Sequence, residues 1–257
     1  MVSTEVRGRV AVVTGAAAGT GRVVAQRLAT DGALVVVADV DTRGGLEAAQ
    51  AIEAEGGRAC FVDADMTSDD EVRRMIEFAE QELGGLHVLV NNAGGGGHVG
   101  PHYPDAQPDQ WRATLELNLG GAMLATQLAL DSMRRGGGGA VVNIASTAGI
   151  GFGLHASPEY AAAKAGLIHF TSSLAGLRER MGVRINCVVP DWIATERALE
   201  ELARMAPAER AAAPRPRPPE EIAAAVADFI RDESHSGRVM VMWPGEPPRL
   251  LDPGLRL

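Results

Sequence analysis

The sequence is poor in the residues that build disulfides, zinc sites and membrane spans. Only two of its 257 residues are cysteine, Cys60 and Cys187, and neither has the close Cys or His spacing of a zinc site. His98 and His102 stand in a Gly/Pro-rich loop, where helical spacing carries no meaning, so we predict no metal. No apolar run is longer than a strand, and the first residues lack the hydrophobic region of a signal peptide. We therefore expect a cytoplasmic protein with reduced thiols and no membrane partner.

Basic residues are also in deficit. Lys and Arg number 24 against 33 Asp and Glu, which gives a net charge of −9. This excess of negative charge repels nucleic-acid phosphates and anionic membranes, so neither is an expected partner. Apolar residues make up 46% of the chain, which is enough to build the buried core of a globular domain.

Seven short apolar runs alternate with helix-like segments along the chain. The first covers residues 9–14 and the last 238–243, and each is continuously apolar, as expected for strands covered on both faces. This alternation predicts an α/β fold: a doubly wound sheet of about seven parallel strands with helices on both faces, in a single domain over 1–257. Two loop-like segments, about 94–108 and 191–219, are candidate substrate-covering loops because each follows a strand's carboxyl end; the alternative is a plain surface connection.

The stretch TGAAAGTG joins the first predicted strand to a helix. Glycines at such positions permit a tight turn, let the backbone approach a pyrophosphate and expose the N–H groups of the helix N-terminus to it. We predict a dinucleotide site formed here by Gly15, Gly19, Thr20 and Gly21. Asp39 ends the second strand, where its carboxylate suits ribose hydroxyls and repels a 2′-phosphate, so NAD(H) is favoured over NADP(H). Arg43 weakens this preference if it reaches back, and a plain turn with a strand-capping aspartate is the alternative interpretation.

Tyr160 and Lys164 stand four residues apart in the stretch YAAAK. On a helix they share a face, and a nearby ammonium stabilises a phenolate, so we expect Lys164 to lower the pKa of Tyr160 from about 10. Ser146 ends the fifth predicted strand, where its hydroxyl suits a hydrogen bond to a reacting carbonyl group. The alternative is an exposed pair on a helix and an ordinary serine at a strand end.

Four motifs, TGAAAGTG, NNAG at 91–94, NIAS ending at Ser146 and YAAAK, resemble in order and spacing those of the short-chain dehydrogenase/reductase family, in its compact Rossmann-type form. The resemblance implies a catalytic tetrad of Asn118, Ser146, Tyr160 and Lys164, in which Asn118 holds a backbone kink and a proton-carrying water. It also implies cofactor contacts from Asp65, Met66, Asn91, Ala93, Gly94, Tyr160, Lys164, Pro190, Ile193 and Thr195. The implied activity is NAD(H)-dependent interconversion of a secondary alcohol and a ketone, with Tyr160 as general acid/base.

The sequence departs from the family pattern at two places. Asp191 stands where the family usually has glycine, and Trp243 with Pro244 replaces the usual Asp-Gly-Gly turn after the last strand. The resemblance implies a homo-oligomer, a tetramer or a dimer, built on helices over about 109–133 and from about 158. The altered C-terminal turn weakens that implication, because this end of the chain often packs against a neighbouring subunit in the family.

Other functions stay open at this point. They are a non-catalytic NAD-binding redox sensor, a dehydratase or epimerase, and a 3-oxoacyl thioester reductase that uses NADPH. The candidate substrate-pocket side chains are mixed aromatic and polar and do not select one substrate: His98, Tyr103, Phe152, His155 and Trp192. Five arginines, at 197, 204, 210, 215 and 217, suit an anionic substrate group, but the glutamates among them favour a solvated loop of mixed charge.

Overall fold

The computed structural model describes residues 6–96, 100–151 and 153–251, apart from the side chain of Ala212. The strands in these ranges are β1 (Val10–Thr14), β2 (Leu34–Asp39), β3 (Arg58–Asp63), β4 (Val88–Asn91), β5 (Gly139–Ile144), β6 (Val183–Pro190), β7 (Val239–Met242) and β8 (Arg249–Leu250). The helices are α1 (Gly19–Thr30), α2 (Thr42–Ala54), α3 (Asp69–Leu83), α4 (Pro108–Leu115), α5 (Gly121–Arg135), α6 (Pro158–Ser173), α7 (Leu177–Met181), α8 (Glu196–Arg204), α9 (Pro207–Ala212) and α10 (Pro219–Arg231). A π-helical turn, Glu116–Gly120, joins α4 to α5, and a short 3₁₀ turn, Thr147–Gly149, follows β5.

All the strands belong to one sheet with the order β3-β2-β1-β4-β5-β6-β7-β8. The first seven run parallel, which confirms the predicted Rossmann-type sheet with about seven parallel strands. The two-residue β8 pairs antiparallel with β7, and the sequence analysis did not predict it because its Pro-rich surroundings carry no strand pattern. The strand order reverses between β1 and β4, which is where open α/β sheets bind ligands at their carboxyl edge.

Successive residues of each central strand face two different cores. Val13 and Val35 pack with α1, α2 and α10 on one face of the sheet, whereas Val12 and Val36 pack with α3 and α5 on the other. A third apolar cluster, around Leu167, joins α6 to β6 and β7. Each fully buried aliphatic side chain contributes about 1.5–3 kcal/mol, so burial on both faces explains why the strands are continuously apolar.

The helix expected over 109–133 is not one regular helix. α4 ends at Leu115, the π-turn follows, and α5 begins at Gly121. Helix propensities do not distinguish a π-turn from the α-helix around it, so the sequence pattern missed the interruption. The helix expected near residue 158 begins at Pro158, whose fixed φ suits the first helical position.

Candidate active site

The carboxyl edge of the parallel strands borders a cavity of about 670 Å³. Its walls come from the first βα turn, the loop after β4, the end of β5, the start of α6 and the segment after β6. The predicted site residues that line it are Gly15, Thr20, Gly21, Gly94, Ser146, Tyr160, Lys164, Pro190, Ile193 and Thr195. The fold therefore brings predicted catalytic and cofactor-binding residues from distant parts of the chain to one place.

The first βα turn has backbone packing that only glycine permits. Gly15 has a φ of 64°, and a Cβ built on it would lie 2.8 Å from the Cα of Ala93. A Cβ on Gly21 would overlap the carbonyl oxygen of Gly15. Asn92 fixes the turn by donating from Nδ2 to the carbonyl oxygens of Thr14 and Gly15, at 2.9 and 3.0 Å. The sequence analysis overlooked Asn92, although its position within NNAG was a usable signal.

The start of α1 suits an anion. Its N-cap residue, Ala18, has no side-chain acceptor, so no side chain caps the first N–H groups of the helix. Those N–H groups and the positive end of the helix dipole stabilise a phosphate placed there. Thr20 and Gly21 belong to this turn and line the cavity. The residues present thus fit the pyrophosphate of a dinucleotide.

Asp39 is held beside the same turn. Its Oδ2 accepts from the backbone N–H of Ala17 at 2.9 Å, and its Oδ1 accepts from the N–H of Asp41 at 3.0 Å. Arg43 does not reach back, because its Nε donates to Glu47 Oε1 at 2.9 Å and its side chain is 90% exposed. A carboxylate in this position accepts hydrogen bonds from ribose hydroxyls and repels an added phosphate.

Tyr160 and Lys164 enter the cavity from the first two turns of α6. Pro158 begins the helix, so Tyr160 lies in its first turn and Lys164 one turn later on the same side. Lys164 is buried; its Nζ donates to the carbonyl oxygen of Ile144 at 3.1 Å and lies over the Tyr160 ring, 5.7 Å from its centre. Ser146 reaches the cavity from the end of β5, where its Oγ accepts from the backbone N–H two residues later at 3.2 Å.

Burial governs the protonation of both α6 side chains. It lowers the pKa of Lys164 to about 8, because the ammonium group loses its hydration. It raises the pKa of the Tyr160 phenol, and a hydrogen bond with Ser146 and the charge of Arg197 offset part of this rise. The expectation that Lys164 lowers the pKa of Tyr160 is therefore wrong for the protein alone: the ammonium lies over the ring face, and desolvation dominates.

Asn118 lies in the π-turn and ties it to the loop after β4. Its Nδ2 donates to the carbonyl oxygens of Gly95 and Thr114, both at 2.9 Å, and its Oδ1 accepts from the N–H of Gly95 at 2.9 Å. A Cβ built on Gly94 would lie 2.8 Å from Asn118 Oδ1 and 3.0 Å from Lys164 Nζ. The glycine at 94 therefore leaves the space in which these two side chains approach each other.

Some predicted residues do not line this cavity: Gly19, Asp39, Asp65, Met66, Asn91, Ala93 and Asn118. Asp65 folds onto its own turn, where Oδ1 accepts from the N–H and the hydroxyl of Thr67 at 2.8 Å each. Met66 is buried beneath α5. The side chain of Asn91 is buried in the core, where Nδ2 donates to Asn143 Oδ1 at 2.8 Å.

Glu159 anchors the loop after β4 beside Tyr160, a role that the sequence analysis missed. Its Oε1 accepts from Ser157 Oγ at 2.9 Å and contacts His102 Nδ1 at 2.8 Å, and its Oε2 accepts from the N–H of Tyr103 at 3.3 Å. Burial raises the pKa of Glu159, but the hydrogen bonds to its carboxylate outweigh this and leave the pKa below its usual value. The chain at 102–103 is thus held against α6 next to Tyr160.

The suggested substrate-pocket side chains have different fates. Trp192 lines the cavity, and His155 stacks on the Tyr160 ring with 6.0 Å between the ring centres. Tyr103 is exposed and does not line the cavity. His98 and Phe152 lie outside the described residues.

The segment after β6 borders the cavity, and its far end, at Arg217, pairs with its beginning, at Ile193. Arg217 donates from its backbone N–H to the carbonyl oxygen of Trp192, and Ala194 donates to the carbonyl oxygen of Arg217, both at 2.8 Å. These bonds pair Ile193 with Arg217 in a short parallel bridge. Residues 195–216, which lie between the two sides of the bridge, are called the lid segment below.

The buried side chain of Arg217 joins this bridge to the C-terminal turn. Its Nε donates to the carbonyl oxygen of Trp243 at 2.9 Å, and the guanidinium also bonds to the carbonyl oxygen of Glu246 and the carboxylate of Glu221. Spacing alone gave no signal that this arginine differs from the four others near it.

The described ranges contain no cluster of three or more His, Cys, Asp or Glu side chains placed to hold a metal. Among the same residues, no helix combines the length and the apolar character needed to cross a membrane.

A match to a known family accounts for this arrangement of residues. The model described as "short chain dehydrogenase" matches residues 9–205. The chain belongs to the short-chain dehydrogenase family. Members of this family are NAD(P)-using oxidoreductases, and the named relatives are dehydrogenases that act on CH–OH groups of small-molecule alcohols.

Individual members of the short-chain dehydrogenase family resemble this chain over almost its whole length. It is 39% identical to cis-4-hydroxycyclohexanecarboxylate dehydrogenase of Sinomonas cyclohexanicum, over 87% of this chain and 90% of that protein. It is 32% identical to cyclohexanol dehydrogenase of an Acinetobacter species, over 91% and 92%. A solved 7α-hydroxysteroid dehydrogenase, complexed with NADH and 7-oxo glycochenodeoxycholic acid, is similar with a TM-score of 0.84 at 30% identity, over 94% of this chain and 96% of that one.

The two departures from the short-chain dehydrogenase pattern cause no visible strain. In the described part of the chain no non-glycine residue has a positive φ, so Asp191 occupies the usual glycine position without that cost. Its N–H donates to the carbonyl oxygen of Met242 at 3.2 Å, and the residue lines the cavity. Trp243 supplies a backbone carbonyl to Arg217, so the altered turn is integrated with the cavity wall.

Proposed function

We propose that this protein is a single-domain, NAD(H)-dependent dehydrogenase that interconverts a secondary alcohol and a ketone, with Tyr160 as general acid/base. The observation that carries the proposal is the common cavity of Ser146, Tyr160 and Lys164, which continues to the glycine turn at Gly15 and Gly21. A complete set of these side chains argues against a non-catalytic redox sensor, because binding a dinucleotide requires neither the phenol nor the serine hydroxyl.

Each catalytic side chain has a separate task in alcohol oxidation. The glycine turn with Gly15, Thr20 and Gly21, together with Asp39, would hold NAD⁺, and the bound cofactor would accept the hydride that leaves the alcohol carbon. Tyr160 takes the proton from the substrate hydroxyl, and Ser146 hydrogen-bonds to the same substrate oxygen as it becomes a carbonyl. Lys164 provides positive charge behind Tyr160, and Asn118 keeps the loop at Gly94–Gly95 in position for that lysine. In ketone reduction the proton moves from Tyr160 to the substrate oxygen.

The preference for NAD(H) over NADP(H) rests on Asp39. Its carboxylate is fixed by two backbone N–H groups, and Arg43 is turned toward Glu47 and solvent. A 2′-phosphate there would meet negative charge without the guanidinium that usually compensates it.

The substrate class that we propose is a secondary alcohol on a saturated ring. Three relatives support this by their names, which refer to hydroxycyclohexanecarboxylate, cyclohexanol and a hydroxysteroid. Trp192, Ile193, Met205 and Pro214 also line the cavity and offer apolar surface for such a ring.

Cofactor choice is tested by fluorescence titration of NADH and NADPH into wild type and Asp39→Ala. We expect wild type to bind NADH more tightly than NADPH, and the variant to lose most of that difference. Equal affinity of wild type for the two nucleotides would contradict the cofactor proposal but not the alcohol chemistry.

The role of Tyr160 is tested by turnover of cyclic alcohols and ketones by Tyr160→Phe. We expect kcat to fall by about 10²–10⁴-fold while NADH still binds. The sequence contains one other tyrosine, so Tyr103→Phe is a matched control that should keep wild-type activity. Retention of activity in Tyr160→Phe would refute the mechanism.

We also propose a cytoplasmic homo-oligomer, a dimer or a tetramer, since short-chain dehydrogenases are typically oligomeric. Light scattering coupled to size-exclusion chromatography measures the mass directly. A monomer of 26.9 kDa at micromolar concentration would rule out this assembly.

A further inference from the structure

We propose that Arg197 binds an anionic group of the substrate, so that the enzyme prefers ring-borne secondary alcohols that carry a carboxylate. This inference rests on the proposed function and specifies the substrate class of the same site. It concerns a residue that is separate from the catalytic set, on the lid segment.

The structure separates Arg197 from the other arginines near it. Arg204 pairs with Glu200 at 3.3 Å on the surface, and Arg210 donates to backbone carbonyls of its own segment. Arg197 and Arg215 are both exposed, but Arg215 does not line the cavity, and the buried Arg217 holds the C-terminal turn. Among these five, only Arg197 lines the cavity that contains Ser146 and Tyr160. The mixed-charge surface loop expected from the sequence is thus an incomplete description, because one of its cations faces the site.

Its position suits the far end of a small substrate. Arg197 lies in the first turn of α8, just after the N-cap residue Thr195, whose Oγ accepts from the N–H of Ala198 at 3.3 Å. Thr195, Arg197 and Ala198 at the start of α8 all line the cavity. The guanidinium is near enough to Tyr160 for its charge to favour the phenolate. A substrate whose hydroxyl meets Tyr160 therefore extends into the field of Arg197.

The other charges around the cavity make this arginine decisive. Lys164 is buried beside Tyr160 and already donates to Ile144. Among the residues that line the cavity, the basic side chains are Lys164 and Arg197, whereas Asp191 and Glu201 are acidic, so Arg197 is the lining cation outside the catalytic set that can attract a carboxylate. A guanidinium has five N–H donors in a planar fork, which matches a carboxylate in a bidentate manner. Loss of the Arg197 guanidinium removes that attraction, whereas Asp191 and Glu201 still repel the substrate carboxylate.

The test compares a charged substrate with its neutral counterpart: cis-4-hydroxycyclohexanecarboxylate and its methyl ester, which lacks the charge and adds one methyl group. We expect Arg197→Gln to lower kcat/KM for the carboxylate by about 10- to 100-fold, mainly through KM, and for the ester by less than about threefold. Arg197→Lys should restore part of the loss, since it keeps the charge but not the fork. Arg204→Gln, on the same helix but outside the cavity, is the matched control and should behave as wild type.

Two outcomes would overturn the inference: an equal loss for acid and ester, or no loss for either. If wild type oxidises neither compound, the proposed function fails for these substrates, and binding still tests Arg197. In that case cyclohexanecarboxylate is titrated calorimetrically into the NAD⁺-saturated protein. Binding by wild type that Arg197→Gln weakens at least tenfold supports the anion site, whereas equal binding or no binding by wild type refutes it.

Discussion

Replacement of Lys164 by methionine should make the stability of the protein less dependent on pH. Lys164 is the only lysine in the sequence, and it is buried next to Tyr160. Its pKa falls from 10.5 to about 8 on folding because burial removes water from the ammonium group. At about 1.4 kcal/mol for each pH unit, this corresponds to roughly 3 kcal/mol of folding free energy spent on keeping the charge buried.

The sign of the pH effect follows from the two pKa values. Below pH 8 the lysine is protonated in the folded and unfolded chains, so the folded state bears the full cost of the buried charge. Between pH 8 and 10.5 the unfolded chain binds more protons, and the free energy of unfolding rises with pH. Methionine lacks this titration. The variant also lacks the hydrogen bond from residue 164 to the carbonyl oxygen of Ile144, which lowers its free energy of unfolding by about 1–2 kcal/mol at every pH.

The assay is urea-induced unfolding of wild type and Lys164→Met at one protein concentration, from pH 7 to pH 10. We expect the stability of the variant relative to wild type to fall by about 2 kcal/mol over this range, whereas groups common to both proteins cancel. Because there is one lysine, [ε-¹³C]lysine labelling gives one side-chain signal whose titration reports its pKa directly. A difference that stays constant with pH, together with a ¹³C midpoint near 10.5, would refute the reasoning.

Three more substitutions test other parts of the site. The methyl group of Gly94→Ala would lie 2.8 Å from Asn118 Oδ1, so we expect kcat to fall by about 10- to 100-fold with little change in Tm; unchanged kcat contradicts the close fit. The carboxylate of Glu159 stabilises the fold fully above pH 4.5 and loses this effect as the pH falls through its lowered pKa, so Tm of Glu159→Gln should decline less than that of wild type below pH 4.5. Arg217→Met should raise KM and speed tryptic cleavage within the lid segment, residues 195–216. Equal digestion rates for variant and wild type would show that the Arg217 side chain does not hold the lid segment in place.

The general fold was predictable because its signals are local and repeated. Continuous apolar strands, helix-like segments between them and a glycine turn after the first strand all point to one architecture, and the order of strands follows from it. The meeting of Ser146 with Tyr160 and Lys164 was predictable for a related reason. Parallel strands present their carboxyl ends at one edge, and residues four apart share one face of a helix.

What the sequence did not predict depends on tertiary surroundings. The pKa of Tyr160 moves upward because of burial, which only the packed cavity determines. The residues of the π-turn do not differ in type from those of an ordinary α-helix, so the sequence carries no signal for it. Glu159 anchors a loop only because the fold brings His102, 57 residues earlier in the chain, next to α6. The sequence does not distinguish the arginines in and beside the lid segment from one another. In the structure Arg197 lines the cavity, whereas Arg217 is buried and bonds to the carbonyl oxygens of Trp243 and Glu246.

The bridge between Ile193 and Arg217 separates the lid segment from the part of the chain that carries Ser146, Tyr160 and Lys164. This bridge brings the two ends of the lid segment together, whereas Ser146 follows β5 and Tyr160 and Lys164 lie on α6, outside that segment. The proposed anion-binding Arg197 lies on the lid segment, whereas the residues proposed for proton transfer do not. We therefore expect that grafting residues 195–216 into a relative transfers the proposed carboxylate preference and leaves the proposed proton-transfer residues in place.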